Sequence, residues 1–218
     1  MKELPFVVAI AAITAAQPAH AKAGDVIVRA RAILVAPIDS SGSVRPSFPG
    51  EEVKVDNAWA PEIDGTYMLT DNIGFELIAA TTKHHVSGKS GTLGDIGELA
   101  SAWVLPPTLT AQYHFIPNGK IRPYVGAGIN YTIYYKENAS SGLEDAVGKT
   151  NVDMSNSFGP AVQAGVDFDI GRNLFLNLDA KWISMHTHAK LYTADIGTQK
   201  VNVHINPLVL GVGIGTTF

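Results

Sequence analysis

The chain has 218 residues, enough for one domain with a sizeable core, and it lacks cysteine, which excludes disulfides and thiolate metal sites. Its formal net charge of −4 argues against a nucleic-acid partner. Although 46% of the residues are hydrophobic, no apolar run reaches the ~20 residues of a membrane-spanning helix, and the 21 glycines and 12 prolines favour strands and turns.

The first segment reads as a secretory leader. Leu4 to Ala16 is almost wholly apolar, and Ala19-His20-Ala21 fits a small-residue cleavage site. The pattern predicts a signal peptide over 1–21 and a mature domain over 22–218. The n-region is weakly positive, because Lys2 is followed by Glu3. An anchor helix is the competing reading, and the apolar run is short for it.

Eight extended segments follow, at 25–37, 53–69, 73–87, 104–116, 121–137, 152–169, 174–190 and 201–218. Three connections are tight and made of turn-forming residues: Thr70-Asp71-Asn72, Pro117-Asn118-Gly119-Lys120 and Gly171-Arg172-Asn173. The others, 38–52, 88–103, 138–151 and 191–200, are predicted as long loops, with one helical turn around Leu143-Glu144-Asp145-Ala146. Short turns at one end and long loops at the other are the pattern of an outer-membrane barrel.

Side-chain parity supports that. Residues two apart in a strand share a face. Ile73, Phe75, Leu77 and Ala79 oppose Glu76; Leu105, Leu109, Ala111, Tyr113 and Phe115 oppose Thr108, Thr110, Gln112 and His114. Val125, Ala127, Ile129 and Tyr131 oppose Arg122, Gly126, Gly128 and Asn130; Leu174, Leu176, Leu178 and Trp182 oppose Asn177, Asp179 and Lys181. In the last segment Leu208, Leu210, Val212, Ile214 and Phe218 oppose Gly211, Gly213 and Gly215. Aromatics gather at both ends of these bands, with Tyr67, Phe75, Tyr113, Phe115 and Phe168 at the turn end and Trp59, Tyr131, Phe158 and Trp182 at the loop end. The expected fold is all-β, an eight-stranded antiparallel transmembrane β-barrel with two aromatic girdles, sitting in outer-membrane lipid. A soluble barrel is the alternative, but it would put its apolar face inside.

Several blocks carry a family resemblance. They are Val28-Arg29-Ala30-Arg31, Tyr67-Met68-Leu69-Thr70-Asp71-Asn72-Ile73-Gly74-Phe75-Glu76-Leu77, Leu105-Pro106-Pro107-Thr108-Leu109-Thr110-Ala111-Gln112-Tyr113-His114-Phe115, Arg122-Pro123-Tyr124-Val125-Gly126-Ala127-Gly128, Asn206-Pro207 and the closing Gly213-Ile214-Gly215-Thr216-Thr217-Phe218. In this order they resemble the outer membrane protein W (OmpW/AlkL) family. The resemblance implies an eight-stranded barrel with a narrow, partly hydrophobic lumen and passage of small hydrophobic molecules across the outer membrane. The loops look private to this chain, so substrate choice does not carry over.

The lumen-facing parity changes with height. Toward the turn end and the middle it holds Arg29, Arg31, Arg122 and Lys181 with Glu62, Asp64, Glu76, Asp167 and Asp179, a candidate charged plug whose members must pair or be hydrated. Toward the loop end it holds Ile33, Val35, Ile183, Met185, Val201, Val203 and Ile205, a candidate hydrophobic pocket, while outward positions become polar at Ser184, His186, His188, Asn202 and His204. A bulge near Asn206-Pro207 that switches phase is the competing explanation.

Two further chemistries find little support. His186-Thr187-His188 puts two imidazoles on one face and His84 adjoins His85, but nothing completes a zinc set, so neither metal nor cofactor is expected. His85 with Ser87 and His186 with Ser184 share faces, yet no nucleophile motif is present and no enzyme is expected. The expected function is a channel for small hydrophobic solutes, which enter the pocket from outside and leave sideways above the plug. A non-transporting surface barrel or receptor and, further off, a lipid-modifying enzyme are the alternatives. Phe218 is the candidate signal for the barrel assembly machinery, by resemblance to outer-membrane barrels in general.

Overall fold

A computed structural model describes residues 22–218; the leader expected over 1–21 lies outside the described residues. In chain order the strands are β1 (Val26–Ala36), β2 (Ser40–Ser41), β3 (Val53–Val55), β4 (Ala58–Met68), β5 (Ile73–Ala80), β6 (Thr82–Gly88), β7 (Glu98–Leu105), β8 (Thr108–His114), β9 (Ile121–Ala139), β10 (Thr150–Met154), β11 (Ser157–Gly171), β12 (Leu174–Ile183), β13 (His186–Thr193), β14 (Gly197–His204) and β15 (Leu208–Thr217). Two short helices, α1 (Gly91–Ile96) and α2 (Ser141–Val147), lie among them.

Eight strands pair antiparallel in a closed ring, β1-β4-β5-β8-β9-β11-β12-β15 and back to β1. Closure removes the edges that an open sheet would expose. At the seam the start of β1 pairs with the last residue: Val26 N donates to Phe218 O at 3.0 Å, and Phe218 N donates to Val26 O at 2.9 Å. The tight turns work as hairpins, and in the third Arg172 and Asn173 hold φ of 59° and 60°, the left-handed values of a primed turn.

The outer face is apolar around the ring. Ile63, Leu77, Leu109, Ile129, Val162, Leu178, Val212 and Ile214 are exposed. A continuous exposed belt of this kind suits hydrocarbon, not water. Tyr67, Phe75, Tyr113 and Phe115 rim it at the turn end and Trp59, Tyr131, Phe158 and Trp182 at the other; Phe168 is half-buried.

The regions expected as loops are more ordered than their sequence suggests. Residues 88–103 are not one loop but hold α1 and most of β7, which pairs with β6 and with the upper part of β9. Register shifts at Ser101/Trp103 and Val86/Ser87 break the two-residue period there, and β7 has four successive buried residues from Leu99 to Ala102. Residues 191–200 are the tip of a hairpin between β13 and β14, with Gly197 at φ 72°. In 38–52 the short β2 pairs with β14. In 138–151 the helical turn expected around Leu143 is α2, capped where Leu143 N donates to Ser140 Oγ at 3.1 Å.

Several of the expected long segments are divided. Pro106 and Pro107 separate β7 from β8, and Ile205-Asn206-Pro207 separates β14 from β15, as expected where a proline has no N–H for the ladder. Residues 56–57 separate β3 from β4, Thr81 separates β5 from β6, Ser155-Asn156 separates β10 from β11, and Ser184-Met185 separates β12 from β13. Parity survives the last break: Phe175, Asn177, Asp179, Lys181, Ile183, Met185, Thr187 and Ala189 include no outward residue, and β12 pairs with β15 without a register shift.

Candidate functional site

Two inward arginines on β1 organise the middle of the barrel. Glycines on β15 make the room: Gly213 lies across from Arg31 and Gly215 across from Arg29. Arg29, 0% exposed, donates to Asp167 Oδ2 at 3.0 Å, Asp64 Oδ1 at 3.2 Å and Thr66 Oγ1 at 3.0 Å. Arg31 donates to Glu62 Oε1 at 2.7 Å and Asn177 Oδ1 at 2.6 Å, and forms ion pairs with Asp64 Oδ2 at 2.7 Å and Glu76 Oε1 at 3.4 Å. Lys181 Nζ donates to Glu62 and Asp179 at 2.8 Å each. Arg122 lies across from Asp167 and over the Phe175 ring at 4.8 Å. These nine charged residues are all buried inside the ring. Buried ions are costly unless paired and hydrogen-bonded, and the four cations and five anions form one connected layer.

The sequence reading did not single out the neutral partners that join it. Tyr124 sits at its centre: its hydroxyl donates to Asp179 Oδ2 at 2.7 Å and accepts from Asn177 Nδ2 at 3.1 Å and Arg31 at 3.3 Å. Its parity with Arg122 was the available signal, masked by its aromatic character. Gln163 Nε2 and Thr110 Oγ1 both donate to Glu76 Oε2, at 2.6 and 3.1 Å. Toward the turn end Ile27, Met68 and Phe175 form a small apolar cluster beneath the charged layer.

Toward the loop end the lumen opens into an apolar cavity of about 100 Å³. It is smaller than the ~150 Å³ engineered cavity that binds benzene, so it suits an apolar group of about that size or less. Ile33, Val35, Ile183, Met185, Val201, Val203 and Ile205 all line it, and Glu62 and Lys181 reach it from the charged layer. The rest of the wall comes in part from other strand positions, among them Val53, Val86 and Val104, and in part from the regions expected as loops, among them Val44, Phe48, Leu93, Leu99, Leu143, Val147 and Ile196. The loop residues lack a readable period, and only folding back over the ring makes one surface of them.

Polar groups on this wall are mostly committed to protein partners. Gln199 Oε1 accepts from Ser47 N at 2.8 Å and its Nε2 donates to Ile196 O at 3.0 Å. Thr187, Thr193 and Thr108 donate to backbone carbonyls at 2.9, 2.6 and 3.0 Å. His84 Nδ1 lies 3.0 Å from the Asp56 carbonyl, and burial holds its imidazole below the ordinary histidine pKa despite that contact. The Tyr134 hydroxyl has no hydrogen-bond partner.

The other described histidines do not line the cavity. His186 and His188 have ring centroids 6.0 Å apart, and His186 and His204 6.2 Å. Among the described residues no group of three or more potential ligands is placed to hold a metal ion. His85 Nδ1 meets Glu98 Oε1 at 2.8 Å, while Ser184 N donates to Pro160 O at 2.9 Å.

A family model described as the OmpW family matches residues 22–218. Outer membrane protein W of Vibrio cholerae is 35% identical over 221 residues, covering 100% of each chain. The crystal structure of the outer membrane protein OprG from Pseudomonas aeruginosa superposes with a TM-score of 0.86 at 30% identity, covering 93% of this chain and 99% of that one. A more distant relative, the dibenzothiophene metabolism operon protein PahQ of Pseudomonas aeruginosa, is 30% identical over 175 residues, 78% of this chain and 76% of its own.

Proposed function

The chain belongs to the OmpW family and is an outer-membrane β-barrel, and on that premise we propose that it is a channel for small hydrophobic molecules. One observation carries the reading: an apolar cavity stands on a fully buried charged layer inside a barrel whose outer face is greasy. An apolar solute gains about 25 cal/mol for each Å² it removes from water, so the cup attracts it. The charged layer opposes straight passage, because its ions are committed to one another and displacing them leaves charge unpaired. The solute therefore leaves sideways into the membrane, above Glu62 and Lys181.

In this reading the hairpin turns face the periplasm and 38–52, 88–103, 138–151 and 191–200 face outward. The relative PahQ is named for a dibenzothiophene metabolism operon, and dibenzothiophene is an apolar aromatic molecule, the chemical class proposed here. Phe218, whose backbone closes the seam, is the residue read by the barrel assembly machinery. Uptake of a labelled aromatic hydrocarbon by cells with and without the protein tests the channel. Faster uptake with the protein is expected; equal rates would leave a structural surface barrel as the better reading.

A further inference from the structure

Of the buried side-chain polar atoms without a hydrogen-bond partner, one belongs to a residue that lines the cup: the hydroxyl of Tyr134. Tyr134 is 7% exposed, on β9 and across from Val104 of β7. The inward residues below it on β9 are paired: Thr132 Oγ1 donates to Asn130 Oδ1 at 2.6 Å, and Asn130 Nδ2 donates to Thr108 Oγ1 at 2.9 Å. The Tyr134 backbone amide is also used, donating to Asn156 Oδ1 at 3.3 Å. Only the phenolic O–H is left over.

A buried hydroxyl without a partner is unfavourable compared with the phenyl ring that would pack in its place. A lone water is a poor remedy, because a buried water needs two to four polar partners, and most of the neutral polar side chains on this wall, His84, Thr108, Thr187, Thr193 and Gln199, already bond within the protein. The oxygen itself is fully buried, so a solute meets it only by displacing a neighbouring side chain of the cup; one that brings its own acceptor then satisfies the hydroxyl and fills the apolar space at once. Ligand pockets commonly pair a greasy lining with one or two placed polar groups that fix orientation.

We propose that the cup prefers oxygenated hydrophobes, apolar bodies carrying one carbonyl or ether-type acceptor, and that the Tyr134 hydroxyl donates to that oxygen. This rests on the channel reading and narrows its substrate class. Loss of such a bond in a dry site weakens binding by roughly tenfold.

The test uses the full barrel refolded in detergent and a matched pair of small ligands, acetophenone and α-methylstyrene, which differ by a carbonyl oxygen in place of a methylene. The wild-type protein is expected to bind the ketone roughly tenfold more tightly, with Tyr134→Phe abolishing the preference. The infrared carbonyl stretch of the ketone should fall on binding to the wild-type protein, a readout that survives even where Tyr134→Phe fails to fold. Equal affinities for the two ligands, an equal loss of both in Tyr134→Phe, or an unshifted carbonyl band would overturn the assignment. If neither ligand binds, the channel reading falls with it; if both bind alike, only the Tyr134 assignment does.

Discussion

Arg31 of β1 and Asn177 of β12 meet at 2.6 Å across the whole width of β15, over Gly213. Gly213 is the register partner of both residues. A β-carbon there would lie 2.8 Å from Arg31 Cγ and 2.7 Å from Arg31 Cα. The bare backbone is therefore what lets an arginine lie flat across the closing seam and tie three strands together.

Gly213→Ala should strain that seam. The added carbon would also run into the Ala30 carbonyl oxygen, so backbone has to shift. Overpacking of this kind costs ~1–3 kcal/mol. The expected result is a lower urea midpoint for the folded barrel, read from its heat-modifiable gel mobility. Gly171→Ala at the β11–β12 turn, with no atom within 4 Å of an added β-carbon but φ at 84°, would strain only the turn.

Replacing Arg29 and Arg31 together by methionine removes the cations at the centre of the charged layer. Asp64, Asp167 and Glu76 then face one another with their main counter-charges gone. Leaving buried charge unpaired costs on the order of 3–5 kcal/mol. The variant should unfold at lower denaturant and pass small ions faster in planar-bilayer conductance. Wild-type stability together with wild-type conductance would argue against a plug.

Val203→Asp places a carboxylate in the cup wall, opposite Thr187. Each CH₂ buried by a solute is worth ~0.8 kcal/mol, and a hydrated charge in the wall forfeits part of that contact. The barrel should still assemble, because its membrane belt is untouched, while uptake of an apolar solute falls several-fold. A folded variant with unchanged uptake would count against solute entry through the cup.

Phe218 leaves its ring exposed, at 60%, while its backbone pairs with Val26. Its side chain thus contributes little packing to the finished barrel. Phe218→Ala should lower the yield of assembled protein in cells and hardly move the denaturation midpoint of the barrel that does form. An equal drop in midpoint would assign the residue to stability instead of assembly.

His84 gives a pH dependence with a defined sign. Burial depresses its folded-state pKa, with Asp56 acting the other way and His85 adding to the depression. The unfolded chain then binds the proton more readily, so stability is full above the unfolded value of ~6.5 and declines as pH drops below it. Protection factors of β6 and β7 amides, corrected for the intrinsic exchange rate at each pH, should fall under mild acid. His84→Gln should flatten that response; an unchanged acid response would place its origin elsewhere.

The sequence by itself determined the barrel. Strand parity is a local property, because successive side chains must point to opposite faces of the pleat. Leu208 to Ile214 on one parity and Gly211 to Gly215 on the other therefore fixed which side met lipid. The same parity put Arg29, Arg31 and Glu76 on one face with Lys181. It could not say which charge met which, because Arg29 and Asp167 lie 138 residues apart and meet only when the ring closes. Nor could it find the upper wall of the cup. Leu93, Leu99, Leu143 and Val147 sit in short helices and a bulged strand, where no two-residue period survives, and they share a surface only after those segments fold back over the barrel. Closure and fold-back are long-range events, decided by which distant segments bury each other, and the tertiary structure alone settled them.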